Sequence, residues 1–194
     1  MGLGNPGREY VQTRHNVGMN WVDSLASSYD AKFKENPKLK GWLAKASIEG
    51  VECLLLKPAT FMNQSGLSVR SVSEYFQVSL GETLVVHDEM AFPPGVVKLK
   101  YSGGANGHNG LKSLFAELNN RREFYRLRIG VGHPGDSRAV TPFLTKHKIL
   151  KEEQELMDNS TNFSSSLINE IVNGYWEKAM SRLHGQVSMG QDVS

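Results

Sequence analysis

At 194 residues, with 39% hydrophobic and 22% charged side chains, the chain is long enough to bury a substantial core and too apolar to be disordered. A formal net charge of +2 is too small to mark a nucleic-acid binder by itself, and the single cysteine, Cys53, excludes an internal disulfide and points to a reducing compartment. The opening MGLGNPG has neither a basic n-region nor an apolar h-region, and no run approaches the ~18 consecutive apolar residues of a membrane helix. A soluble, cytoplasmic protein without a membrane span is therefore expected.

In chain order, Gly2-Leu3-Gly4-Asn5-Pro6-Gly7 comes first and matches the dinucleotide-binding pattern G-x-G-x-x-G. Its context is wrong for that role. No strand precedes it, Pro6 removes a backbone donor, and no apolar-periodic helix opens at Gly7. Val17, Trp21, Val22, Leu25 and Tyr29 then form the apolar stripe of a helix. Residues 42–48 and 51–57 read as two strands turned at Glu49-Gly50 into an antiparallel hairpin, with Cys53 a packed strand residue. A second helical stripe follows at Leu67, Val72, Tyr75 and Phe76, then strands at 83–87 and 96–101. Leu111, Leu114, Phe115 and Leu118 mark a third helix, 125–132 a further strand, and 151–184 one or two closing helices. Strands alternating with helices predict an α/β fold, and no linker or repeat divides the chain. The expectation is one three-layer domain over residues 1–194, a mixed twisted sheet with helices on both faces.

Charge is unevenly spread. Between Lys98 and Arg138 there are eight basic residues against three acidic, a balance of +5, whereas residues 151–194 carry three basic against seven acidic, a balance of −4. Such asymmetry suggests one side that faces a polyanion, although solvated arginines explain the charges equally well.

Chemistry-bearing residues fall mostly in Gly/Asn-rich loops at strand ends: Asn5, His15, Asn16, Asn63, His87, Asp88, His108 and Asn109. Carboxamides both donate and accept, which suits a peptide backbone or a developing oxyanion. A histidine beside an aspartate supplies a general base of fixed tautomer. Taken singly, each also fits turn or capping chemistry. No H-x-x-x-H, H-E-x-x-H or cysteine pair accompanies His87, Asp88, Glu89 and His108, so neither a metal nor another cofactor is expected. No G-x-S-x-G elbow is present, which leaves water activated by histidine as the expected nucleophile.

Seven segments in order carry a resemblance: Gly2 to Gly7, Thr13-Arg-His-Asn-Val-Gly18, Thr60-Phe-Met-Asn-Gln-Ser-Gly66, His87-Asp-Glu89, Pro94-Gly95, Gly107-His-Asn-Gly-Leu-Lys112 and Arg126 to Gly135. Together they resemble the signature blocks of the bacterial peptidyl-tRNA hydrolases. The resemblance implies a monomeric α/β enzyme that cleaves the ester between a peptide and the 3′ end of tRNA, recycling peptidyl-tRNA in translation. It implies His15 as general base and Asp88 as its orienting partner. Asn5, Asn63 and Asn109 would hold peptide and ester carbonyl, with His108 also a substrate contact, and Asn5 would help tell a blocked amino group from a free one. Tyr10 and Phe61 would line the groove, with Met62 beside them or simply in the core. Lys98, Lys100 and Arg128 would meet tRNA phosphates. Two departures stand out. Relatives carry more apolar residues before the first glycines, which here leaves the first strand nearly absent. They also carry more glycine where this chain has Asn106, a residue type that tolerates positive φ.

Overall fold

The computed structural model describes residues 1–189. Lys34–Asn36 (β1), Gly41–Ile48 (β2) and Val51–Pro58 (β3) form an antiparallel sheet in the order β1-β2-β3. The predicted hairpin turn is built as its twist requires: Glu49 and Gly50 both have positive φ, 49° and 81°. Leu84–Glu89 (β4), Val97–Tyr101 (β5) and Tyr125–Gly130 (β6) form a second sheet in the order β4-β6-β5. Here β6 runs parallel to β4 and antiparallel to β5, so this sheet is mixed.

Residues 1–3 splice the two sheets. The Gly2 N–H donates to Leu56 O at 3.0 Å, Leu3 N–H to Val86 O at 2.9 Å, and Val86 N–H to Met1 O at 2.9 Å. These three residues form an isolated bridge at Gly2 rather than a full strand, yet they reach β3 on one side and β4 on the other.

Helices cover both faces. Val17–Ser28 (α1), Ser65–Phe76 (α2), Asn109–Glu117 (α3), Val140–Thr145 (α4), Lys151–Thr161 (α5), Ser165–Val172 (α6) and Trp176–Met189 (α7) follow in chain order. One core packs α1, α6 and α7 on Val86, Leu99, Leu127 and Ile129 through Val22, Leu167, Ile171 and Leu183. The other packs α2 and α3 on Val85 and Phe124 through Val69, Leu111 and Leu114. Odd and even residues of β4 serve opposite cores, as strand alternation dictates. Each fully buried aliphatic or aromatic side chain contributes roughly 1.5–3 kcal/mol.

The predicted strands and first three helices are found within one or two residues of their expected limits. The closing stretch differs, being three helices. Ser164 caps α6 by accepting the Leu167 N–H at 3.3 Å, and Gly174, at φ 75°, separates α6 from α7. Neither β1 nor α4 was expected. No helix among the described residues is long and apolar enough to cross a membrane.

Candidate active site

Two glycines set the site. A Cβ on Gly18 would lie 2.2 Å from Val86 O, and one on Gly2 would lie 2.2 Å from Gly18 O. With no side chain at either position, the first turn of α1 rests directly on β4. The 3-10 turn Arg14–Asn16 that leads into α1 therefore lies beside the end of β4, where Asp88 stands. Arg14 clamps this turn: its guanidinium ion-pairs with Glu153 of α5 and sits 4.1 Å over the Phe143 ring of α4.

His15 and Asp88 meet there, both buried. His15 Nδ1 lies 3.0 Å from Asp88 Oδ1 and 2.9 Å from Oδ2. Burial alone would lower the His15 pKa; the charge and hydrogen bond of Asp88 outweigh it, and the pKa is raised. Burial alone would raise that of Asp88, but His15 and His108 together hold it well below the ordinary carboxylate range. With Nδ1–H committed to the carboxylate, Nε2 of His15 carries the free lone pair on the wall of the cleft.

His108, expected among the substrate contacts, has both ring nitrogens engaged by protein. Its Nδ1 accepts the N–H groups of Gly110 (3.1 Å) and Leu111 (3.3 Å), capping α3. Its Nε2 must then carry the proton, which it donates to Asp88 Oδ1 at 2.8 Å. The neighbouring His87 is fully buried, donates Nδ1–H to Asp88 O at 2.7 Å, and has its pKa pushed down to about 3, first by burial and then by His108.

His15, Asp88 and His108 bring ligand-capable atoms within 4.8 Å of one another, a spacing that a metal centre could share. The trio fits a metal poorly. A metal at Nε2 of His108 would need the proton on Nδ1, facing two N–H donors. The ring nitrogens stand at hydrogen-bond contact from the carboxylate, with protons between them.

The loop before His108 is held by Arg126, whose guanidinium donates to Gly104 O (2.7 Å) and Gly103 O (2.6 Å). Asn106 occupies the left-handed region at φ 47°, which explains why an asparagine stands among these glycines.

Asn5 is buried and doubly fixed. Its N–H donates to Asn16 Oδ1 at 2.8 Å, and Asn16 Nδ2 donates to its carbonyl at 2.9 Å. Its side-chain Oδ1 accepts the Met62 N–H at 2.8 Å. The Asn5 carboxamide is thereby oriented, with Nδ2 left as a donor. Asn5, His15, Phe61, Met62, Asn63 and Asn109 line one open cleft of about 490 Å³. Phe61 is 53% exposed and meets Tyr10 edge-on at 6.4 Å, whereas Met62 is a core residue that reaches the cleft floor. An adjoining hollow of about 540 Å³ is lined by His15, Asp88 and His108 on one side and Leu144 and Thr145 of α4 on the other.

The basic residues form a cross-strand array: Lys98 pairs with Arg128 and Lys100 with Arg126, so all four project from one face of the sheet. Their surroundings differ. Lys100 is exposed, Lys98 lies 5.1 Å from the Phe92 ring centre, and Arg128 donates from Nε (3.0 Å) and Nη2 (2.8 Å) to Glu89 Oε2. Asn16 was expected among the chemistry-bearing loop residues but not as the clamp on Asn5, and Arg126 was not expected at the site; both roles arise from contacts that spacing does not encode.

A family model described as "Peptidyl-tRNA hydrolase" matches residues 1–191. The peptidyl-tRNA hydrolase of Teredinibacter turnerae is 44% identical over 184 residues, covering 95% of each chain. That of Nitrosomonas europaea is 46% identical over 184 residues, covering 95% of this chain and 93% of its own. The crystal structure of peptidyl-tRNA hydrolase from Acinetobacter baumannii superposes with a TM-score of 0.89 at 41% identity, covering 94% of this chain and 91% of that one. By this similarity along nearly its whole length, the chain belongs to the peptidyl-tRNA hydrolase family.

Proposed function

We propose that the protein hydrolyses the ester bond joining a peptide, or an N-blocked aminoacyl group, to the 3′ end of tRNA, with His15 as general base and water as nucleophile. The observation that carries this reading is the buried His15–Asp88 pair, which leaves the other imidazole nitrogen facing the cleft. Nε2 takes a proton from water as its oxygen attacks the ester carbonyl. Asp88 stabilises the imidazolium that forms. Asn63 and Asn109 supply donors for the tetrahedral oxyanion, a large contribution in acyl transfer. Collapse expels the ribose oxygen, which takes the proton back from His15, and releases the acyl group as a carboxylic acid that gives its remaining proton to solvent.

Asn5 gives the selectivity a physical basis. With Oδ1 occupied by Met62 N–H, it offers only N–H donors. These suit the carbonyl of an acylated amine and oppose the ammonium of a free aminoacyl-tRNA, which has only donors itself. Phe61 and Tyr10 give the groove an apolar flank for the peptide or the terminal base. Lys98 and Lys100, with Arg128 beneath, face the tRNA phosphates. In this reading the protein works in the cytoplasm as a single-domain monomer without a metal or cofactor. The test is release of tRNA from N-acetyl-aminoacyl-tRNA, with free aminoacyl-tRNA as control. Hydrolysis of the first and not the second is expected; inertness toward both, or equal rates, contradicts it.

A further inference from the structure

Asp88 Oδ1 serves two histidines: it lies 3.0 Å from His15 Nδ1 and 2.8 Å from His108 Nε2. The rings of the two histidines are 5.1 Å apart, both side chains are 8% exposed, and that of Asp88 is 2% exposed. We propose that His108 is a positioning residue: its Nε2–H, given to one of the two carboxylate oxygens that hold His15, weakens the carboxylate's hold on His15 and sets the pH at which His15 becomes a base. This deepens the hydrolase reading above and rests on it.

The proton on Nε2 is fixed by the fold. Gly110 and Leu111 at the start of α3 point their N–H groups at Nδ1, so only the tautomer with a donor aimed at Asp88 satisfies all three contacts. A carboxylate that accepts a second charge-assisted hydrogen bond has less charge to offer the first partner. His15 is consequently held in place while its conjugate acid is stabilised less than by an undivided aspartate. The other charged groups packed around the pair are already committed. Glu89 is bound by Arg128 and by Ala91 N–H, Arg126 by the carbonyls of Gly103 and Gly104, and Arg14 by Glu153. His87 is neutral, with its Nδ1–H on Asp88 O, and His133 stands exposed on the rim. His108 is thus the group that divides the Asp88 charge.

Two substitutions separate this role from helix capping. In His108→Asn the side-chain oxygen stands near the place of Nδ1, so it keeps the α3 cap and loses the reach to Asp88. In His108→Gln the amide nitrogen stands near the place of Nε2, so it keeps the donor and loses the cap. The readouts are the kcat/KM–pH profile on N-acetyl-aminoacyl-tRNA, the His15 titration followed by NMR, and the melting temperature. His108→Asn should melt near the wild type and move the acidic limb, and the His15 titration, upward by about 0.5–1 pH unit. His108→Gln should melt lower and shift the limb less than His108→Asn. An unmoved or lowered His15 titration in His108→Asn, or a larger shift in His108→Gln, overturns the inference. Inactivity of the wild type would instead defeat the hydrolase reading, while the NMR titration still decides the role of His108.

Discussion

Asn16 grips the backbone of Asn5 at both ends, accepting its N–H at 2.8 Å and donating to its carbonyl at 2.9 Å. Both residues are buried, so water cannot replace either bond.

Asn16→Ala should therefore do two things. Two orphaned buried backbone groups cost about 2 kcal/mol or more, which lowers the melting temperature by roughly 4–8 °C in a chain of this size. Asn5, no longer held, should discriminate less between substrates. The ratio of kcat/KM for N-acetyl-aminoacyl-tRNA to that for free aminoacyl-tRNA should fall by about tenfold, the effect of one oriented hydrogen bond. A lower melting point with an unchanged ratio would make Asn16 a purely structural residue.

The basic array predicts unequal effects of removing charge. Lys100 is exposed, so Lys100→Ala should weaken tRNA binding, reduce the slope of log K against log salt by about 0.7–0.9, and leave stability unchanged. Arg128 is different, because its side chain is 15% exposed and paired with a Glu89 side chain that is 9% exposed. Arg128→Ala leaves that carboxylate buried without its counter-charge, so it should also lower the melting temperature, and adding Glu89→Gln should restore part of the loss. Binding and melting measured on the two single variants and the double variant check this. Equal stability of Lys100→Ala and Arg128→Ala would contradict it.

A chain whose first residue is Met1 has a pH-dependent stability. The Met1 ammonium donates to Leu84 O at 2.7 Å, and burial pushes its pKa down from 8.0 to about 5. Between those values the unfolded chain binds the extra proton, so folding stability should rise with pH from 5 toward 8, by at most about 1.4 kcal/mol per unit. Beyond Met1 a hollow of about 590 Å³ continues between β3 and β4, lined by Leu55, Leu84 and Val86. Adding four or five apolar residues before Met1 exchanges the ammonium for an amide and lengthens the splice. The melting temperature should rise by several degrees, and the pH slope should flatten. Chemical denaturation of both chains at pH 5.5 and 7.5 measures this; an unchanged slope would contradict it.

Much of this molecule is legible in its sequence because strong periodicity survives folding. The hairpin at Glu49-Gly50 and the stripes of α1, α2 and α3 follow from apolar spacing and turn residues, whereas the mixed sheet was expected from that hairpin and instead arises where β5 runs antiparallel to β6. What stayed hidden lacks such a signal. Lys34-Glu35-Asn36 has no apolar alternation and becomes a strand only by pairing with β2. Val140–Thr145 is a single short helix with Pro142 inside it. The site divides in the same way. Residue types and loop positions mark His15, Asp88 and the asparagines, but the grip of Asn16 on Asn5, the two engaged nitrogens of His108 and the ion pair of Arg128 depend on ring and side-chain orientations set by distant contacts.

The central claim is that His15 and Asp88 act as one unit, and a double-mutant cycle on kcat tests it most directly. Asp88→Asn is nearly isosteric, yet an amide cannot stabilise imidazolium by charge and can present a donor where an acceptor is needed. His15→Ala removes the base itself. Each single substitution should lower kcat by roughly 10²–10⁴-fold with little change in tRNA affinity. The double variant should be little worse than either, because the second change removes a partner already disabled. Losses that multiply in the double variant, or near-normal turnover in Asp88→Asn, would contradict the account.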